Sequence, residues 1–379
     1  MTGELWSKFE DFWDKEKIED KAKLYQDFYD GSKKKDQGFT WVSSKDQLNK
    51  ESNAAKWGIP NHVLGDVDNT EVIIGLFNPG THMDTDASES CNTVREYIQG
   101  EVNKEKENAN QTGVDFESKE IYEGNSRDEE TLKKFYYDHI LSEENVIAQE
   151  LKKLYKMYEN NEEDVRIYLE TGNSKSFKLI AYYLGQYYGH LFDNNDGYPG
   201  YVRAMKHYIP IFEKMNEAKR QGHKNIDENF EKAVNEIKVA NIELVPYRTS
   251  TTGDIGFSKS WKSSRLSAQV ILNKLENNPD TIVILRSRAK WESLFIELCG
   301  SKEEYFEKIE PKLFELGTSG AISIKNVTPV VDKKAKLNYE ELSKQHQDRV
   351  DEAIDKIKKL ISLESFENDL DDMLKEHHK

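Results

Sequence analysis

The sequence predicts an α/β fold: a mainly four-stranded parallel sheet flanked by helices, with a large helical insertion after the first strand. Three observations carry this reading. Four short apolar runs, at 71–77, 240–246, 281–285 and 312–316, are each closed by small or polar residues. Helical periodicity fills the intervals between the last three of them. The first two are separated by roughly 160 residues, far more than one crossover helix needs.

In chain order, Leu5, Phe9 and Phe12, with Trp6 and Trp13 beside them, fall on one face of an amphipathic helix within residues 1–30. That helix heads an N-terminal helical arm over 1–60, interrupted by the polar stretch 30–38. The first strand, EVIIGLF, is a continuous β-branched run ended by Asn78-Pro79-Gly80. Such a run is what a strand buried on both faces of a parallel sheet needs. Residues 81–239 form the inserted helical subdomain, acidic over 101–130 and Tyr-rich over 177–188, with Tyr198, Tyr201 and Tyr208 following. The second strand follows at 240–246. A helical face at Leu266, Val270 and Leu275 leads to the third strand at 281–285, and helical segments at 290–298 and 302–309 lead to the fourth. Strand and helix alternating in this way imply right-handed crossovers in a doubly wound core made of 61–80 and 240–330. Val350, Ile354, Ile357 and Ile361 then predict one long amphipathic helix in 331–379, with His377 and His378 on a solvated tail.

Composition narrows the function classes. Of 379 residues, 54 are Lys or Arg and 70 are Asp or Glu, a net charge of −16, which argues against a protein gripping duplex DNA over its whole surface. Nucleic-acid contact, if made, must be local. Cys91 and Cys299 build neither a disulfide framework nor a CxxC zinc site, so a reducing compartment is expected. The first residues lack a targeting signal and no stretch is apolar enough to span a membrane, which points to a cytoplasmic protein with no membrane partner. HExxH, P-loop and GxGxxG patterns are missing, and no metal or cofactor is expected. His139, His190 and His207 sit in aromatic helical contexts that suit core or interface positions better than metal ligation. The run 193–197 departs from calcium-loop spacing, and 253–256 has GxxG shape without the basic residues of a backbone clamp.

In open parallel sheets, ligands bind outside the carboxyl ends of the strands, where loops converge and helix N-termini present free N–H groups. Four loops are therefore candidates. They are Asn78-Pro79-Gly80-Thr81-His82, the stretch from Tyr247 through Arg248, Thr249 and Ser250 to Gly253, Arg286-Ser287-Arg288, and Gly317-Thr318-Ser319-Gly320. From Arg248 to Arg265 four cations face one acid, with Phe257 and Trp261 among them. Cations hold phosphates and an exposed ring stacks a base, a combination suited to single-stranded or flipped nucleotides. The alternative is a basic surface loop whose aromatics face the core. Arg286 and Arg288 offer planar forks for phosphate oxygens, or else pair with surface carboxylates.

The stretch Ile73-Ile74-Gly75-Leu76-Phe77-Asn78-Pro79-Gly80 resembles the first motif of the uracil-DNA glycosylase superfamily, where a buried strand ends in a Gly-x-Asn-Pro-Gly turn. The order of the later segments is similar too, so the chain resembles a divergent member of that superfamily with a large helical insertion. The resemblance implies that Asn78 orients the attacking water and that Pro79 and Gly80 bring backbone close to the base and sugar. It places Thr318-Ser319-Gly320 where the family carries a His-Pro-Ser or Asn-Pro-Ser loop against the phosphate backbone. Here Gly75 lies three residues before Asn78 instead of two, and the second motif has neither His nor Pro.

The chemistry implied is hydrolysis of an N-glycosidic bond through an oxocarbenium-like state, on a base taken out of the stack. An amide positions water but is a feeble base, so Asp84 or Asp86 is a candidate to activate it. Two other readings stand beside this one. The first is a catalytically inactive nucleotide or single-stranded nucleic-acid binding module held by Arg248, Arg286, Arg288 and Ser319. The second is an acidic scaffold whose Tyr-rich insertion engages a protein partner.

Overall fold

A computed structural model describes residues 3–29, 31–33, 38–48, 57–81, 83, 85–108, 128–160, 181–192, 197–250, 255–317, 320–330 and 339–376. Its sheet has seven strands in the order β3-β1-β4-β2-β5-β6-β7. These are β1 Val63–Leu64, β2 Val72–Leu76, β3 Leu141–Ser142, β4 Val239–Glu243, β5 Ile282–Leu285, β6 Leu313–Leu316 and β7 Val327–Pro329. The four central strands β4, β2, β5 and β6 are mutually parallel and coincide with the four apolar runs of the sequence. The sheet as a whole is mixed, not a four-stranded parallel one: β1 runs antiparallel to β4 and β7 antiparallel to β6. The added strands are two or three residues long. Pieces so short carry no hydrophobic period of their own and exist because they pair with a neighbour's free edge.

Alternate residues of each central strand point to opposite layers. Ile73, Ala240, Ile242, Val283 and Leu285 pack into one apolar layer, with α1 (Glu4–Trp13), α2 (Lys15–Tyr29), α4 (Val94–Asn108) and α5 (Glu129–Ile140); α3 is Thr85–Ser90. Val72, Ile74, Leu76, Val239, Ile282 and Ile284 pack into the other, with α6 (Val146–Asn160), α7 (Gly200–Arg220) and α8 (Ile226–Asn235). The insertion is thus divided between the two layers and also supplies β3. After β4, α9 (Lys262–Asn277) and α10 (Arg288–Leu298) return to the first layer, while α11 (Lys344–Ile361) and α12 (Glu364–Glu376) close the second.

Both terminal helices of the sequence reading are broken in two. Asp14, at φ 59°, separates α1 from α2, and Leu363, at φ 58°, separates α11 from α12. Each break lets two apolar stripes fold onto one layer, which a straight helix of that length would overrun. His377 and His378 lie outside the described residues. No helix among the described residues is long and apolar enough to cross a membrane.

Gly75 shows why the first strand carries a glycine between Ile74 and Leu76. A Cβ there would sit 2.6 Å from Leu285 Cδ2 and 3.2 Å from the Trp291 ring, so the missing side chain lets α10 approach β2 and brings their loops together.

Candidate active site

Counted along the chain, the parallel strands lie in the spatial order second, first, third, fourth, so the connection reverses between β2 and β5. At such a switch point the loops leaving neighbouring strands part and open a crevice. A cavity of about 240 Å³ occupies it here, lined among others by Asn78, Tyr187, Glu243, Arg248 and Arg286.

The floor is built by zipping two loops together beyond the strand ends. Thr81 N–H donates to Thr249 O at 3.1 Å, Thr249 N–H donates to Pro79 O at 3.3 Å, and Gly80 and Thr249 form a parallel bridge. The Asn78 amide nitrogen donates to Thr249 Oγ1 at 2.7 Å, with Pro79 O and Tyr247 O at 3.1 and 3.3 Å. These contacts fix the amide plane and leave Oδ1 buried with no hydrogen-bond partner among the described residues. Arg248 locks the same floor, donating from Nε to Ile59 O at 2.7 Å and from Nη1 to Gly80 O at 2.6 Å. It lines the cavity as the sequence predicts, with two of its guanidinium nitrogens already donating to backbone.

Glu243, the last residue of β4, stands opposite Leu76 in the register and is only 3% exposed. Its Oε2 also has no hydrogen-bond partner among the described residues. Burial pushes the carboxyl up to about 8, against the pull of Arg248 and Arg286. A side chain with this pKa is largely a neutral acid at pH 7.

The wall comes from the insertion. Tyr182, Tyr183 and Tyr187 line the cavity from a turn whose π-helical segment spans Leu184–Tyr188, with the rings of Tyr183 and Tyr187 5.4 Å apart. Glu150 on α6 caps the start of this turn, accepting from Tyr183 N–H at 2.8 Å and Leu184 N–H at 2.6 Å. Glycines let the turn pack onto α7: a Cβ on Gly189 would come within 2.0 Å of Gly200 O, and one on Gly200 within 2.2 Å of Gly185 O. The Tyr187 hydroxyl accepts from Arg286 Nη1 at 2.7 Å, and its carbonyl accepts from Ile322 N–H at 2.8 Å. Gly320, at φ +76°, lies against both Arg286 and Tyr187, so the loop after β6 reaches the site.

The predicted residues divide clearly. Asn78, Pro79, Gly80, Arg248, Ser250, Arg286 and Ser287 line one cavity. Ser287 is the N-cap of α10, at φ 57°. Trp261 is not in the cavity: it is 1% exposed, donates from Nε1 to Gln47 O at 2.9 Å and packs in the first layer with Phe257. A ring held on all sides by core cannot stack a base. Arg288 is also elsewhere, pairing with Glu292 at 2.8 Å and Glu315 at 3.1 Å: it is the first residue of α10, past the Ser287 N-cap, whereas Arg286 belongs to the turn before the helix. Within the basic stretch, Lys259 and Arg265 both meet Glu297. Thr318, Ser319, His82, Asp84 and 251–254 lie outside the described residues. Asp86 is exposed on α3, away from the cavity lining.

Glu243 and the three tyrosines were missed. One signal for Glu243 was available: an acid inside a strand otherwise read as buried on both faces must be neutral, paired or functional. Nothing local joins the tyrosines to Asn78, about a hundred residues away, since only tertiary packing does so. Among the described residues no group of His, Cys, Asp and Glu could hold a metal ion. No family model, curated protein or solved structure matches this chain, so its function must be argued from the cavity.

Proposed function

We propose that the protein hydrolyses the N-glycosidic bond of a nucleotide unit bound in this cavity. One observation carries the reading: two buried oxygens without partners, Asn78 Oδ1 and Glu243 Oε2, belong to residues that line the same small cavity at the ends of paired strands. Such groups are costly to bury unless a ligand completes them.

In this mechanism Asn78 Oδ1 accepts from the attacking water and aims its oxygen at C1′. The protonated Glu243 carboxyl donates its proton to the departing base as the C1′–N bond breaks. The water oxygen forms the new bond to C1′, and its surplus proton returns to the Glu243 carboxylate, restoring the starting state. The rings of Tyr182, Tyr183 and Tyr187 pack the base, and Arg286 hydrogen-bonds an oxygen of base or phosphate. The resemblance of the Asn78-Pro79-Gly80 turn to the uracil-DNA glycosylase superfamily supports the same reaction class, with Glu243 in place of the missing second-motif His as the main electrostatic participant.

The binding-module alternative loses support because Arg248 and Arg288 are engaged with backbone and carboxylates. The scaffold alternative loses support because Tyr182, Tyr183 and Tyr187 face the cavity and Tyr188 and Tyr208 are fully buried, leaving Tyr198 as the exposed one of the stretch.

The test is to incubate the protein with nucleosides, nucleotides and oligonucleotides carrying uracil or other altered bases, and to separate any free base chromatographically. Release that disappears in a folded Asn78→Ala variant is expected. Failure to release base from any of them overturns the reading.

A further inference from the structure

We infer that the substrate is a small soluble N-glycoside with at most one phosphate, a nucleoside or nucleoside monophosphate, and not a nucleic-acid polymer; this rests on the glycosidic reading of the site. Three observations lead there. The cavity, about 240 Å³, is below the roughly 300 Å³ at which sites for drug-sized ligands begin, and so suits one base with its sugar.

The second observation is where the cations go. A polymer is held through phosphates on either side of the extruded unit, by Lys and Arg that shed counterions on binding. Among the described residues, most of the cations that the sequence places around these loops, Lys262 and the cavity's own Arg286 apart, are engaged within the protein. Arg248 holds the carbonyls of Ile59 and Gly80. Lys259 and Arg265 share Glu297, and Arg288 meets Glu292 and Glu315. Lys290 sits over the Phe257 ring at 5.5 Å. The third observation is the net charge of −16, which repels a polyanion at long range but costs a nucleoside nothing.

Within the cavity the arrangement fits one phosphate at most. Arg286 lies at the N-terminus of α10, an 11-residue helix, with Gly320 close against its Nη1 at the opposite loop. A single anionic group there would meet the guanidinium.

The experiment compares free-base release from ribo- and deoxyribonucleosides, their 5′-monophosphates, and short single-stranded oligonucleotides with the same bases, at low and high salt. The expected result is a kcat/KM at least ~10-fold higher for a monomer than for the oligonucleotide, with less than ~2-fold change across the salt range. Arg286→Ala should raise KM for the monophosphate at least ~10-fold more than it raises KM for the nucleoside, which loses only the support that Arg286 gives to Tyr187. Faster release from oligonucleotides, falling steeply with salt, overturns this inference and leaves the glycosidic reading standing. Release from none of the three classes overturns both.

Discussion

Glu150 and Glu243 are two carboxyls buried to a similar depth, 5% and 3% exposed, on either side of the tyrosine turn. Burial raises both to about 8. They differ in what their oxygens touch. Both oxygens of Glu150 accept backbone N–H groups, from Tyr183 and Leu184, whereas Oε2 of Glu243 has no partner among the described residues and its residue lines a cavity. A raised pKa therefore does not mark function by itself; an unmet hydrogen-bonding capacity beside open space does. One acid builds the wall and the other is proposed to do chemistry in front of it.

The comparison breaks most sharply in activity. Glu243→Gln should lower kcat by ~10²–10⁴-fold, the usual worth of a positioned proton donor, while leaving thermal stability unchanged or higher. Glu150→Gln should do the opposite, costing about 1–3 kcal/mol of stability through a lost acceptor, which denaturant melts will read. If Glu150→Gln abolished activity without loosening the fold, the division between the two acids would fail. Asn78→Ala should lower kcat by ~10²-fold, since water is then unplaced.

The arginine pair sharpens the same contrast. Arg286→Ala should raise KM for a phosphorylated substrate by ~10-fold, in line with loss of a charge-assisted hydrogen bond. Arg288→Ala, two residues away, should leave KM unchanged because its partners are Glu292 and Glu315. Steady-state kinetics on both variants decide this.

The two acids also make stability depend on pH. Each acid has an ordinary value of 4.5 and is raised to about 8 in the fold. Between those values the folded state holds protons that the unfolded state has released, so the stabilisation is complete below about 4.5 and is lost as pH rises through 8. His62 acts in the other direction. Burial lowers it from 6.5 to about 3, so its contribution is present above 6.5 and lost as pH falls toward 3. Its neutral ring accepts from Trp13 Nε1 at 2.8 Å and donates to Ser267 Oγ at 2.8 Å, while Ser267 donates to Glu243 O at 2.9 Å. Urea melts across this range should show a stability maximum on the acid side of neutrality, and Glu243→Gln should flatten the alkaline decline. Activity should fall above about pH 8, as Glu243 loses the proton it donates.

Much of the site was legible because backbone turns announce themselves. Asn78-Pro79-Gly80 closes a strand that no surface segment resembles, and Arg286 follows a second such strand directly, so the switch-point rule placed both in one crevice. Arg288 and Trp261 were misplaced because charge and aromaticity in sequence say nothing about direction. The left-handed Ser287 lies between them, so Arg286 ends the turn after β5 while Arg288 begins α10 and pairs with Glu315. Trp261 reads as a surface ring among cations until the packing of Phe257 and Gln47 covers it.

By itself the sequence determined the four central parallel strands, the helices between them and the turn that holds Asn78, since strand burial and turn chemistry are local properties written in adjacent residues. The tertiary structure alone decided the edge strands, the two breaks at Asp14 and Leu363, the commitment of Arg248 to backbone, and the meeting of Glu243 with tyrosines of the insertion. Those features depend on which surfaces are brought into contact across long separations, where hydrogen bonds and desolvation are settled between segments and no single segment carries the information.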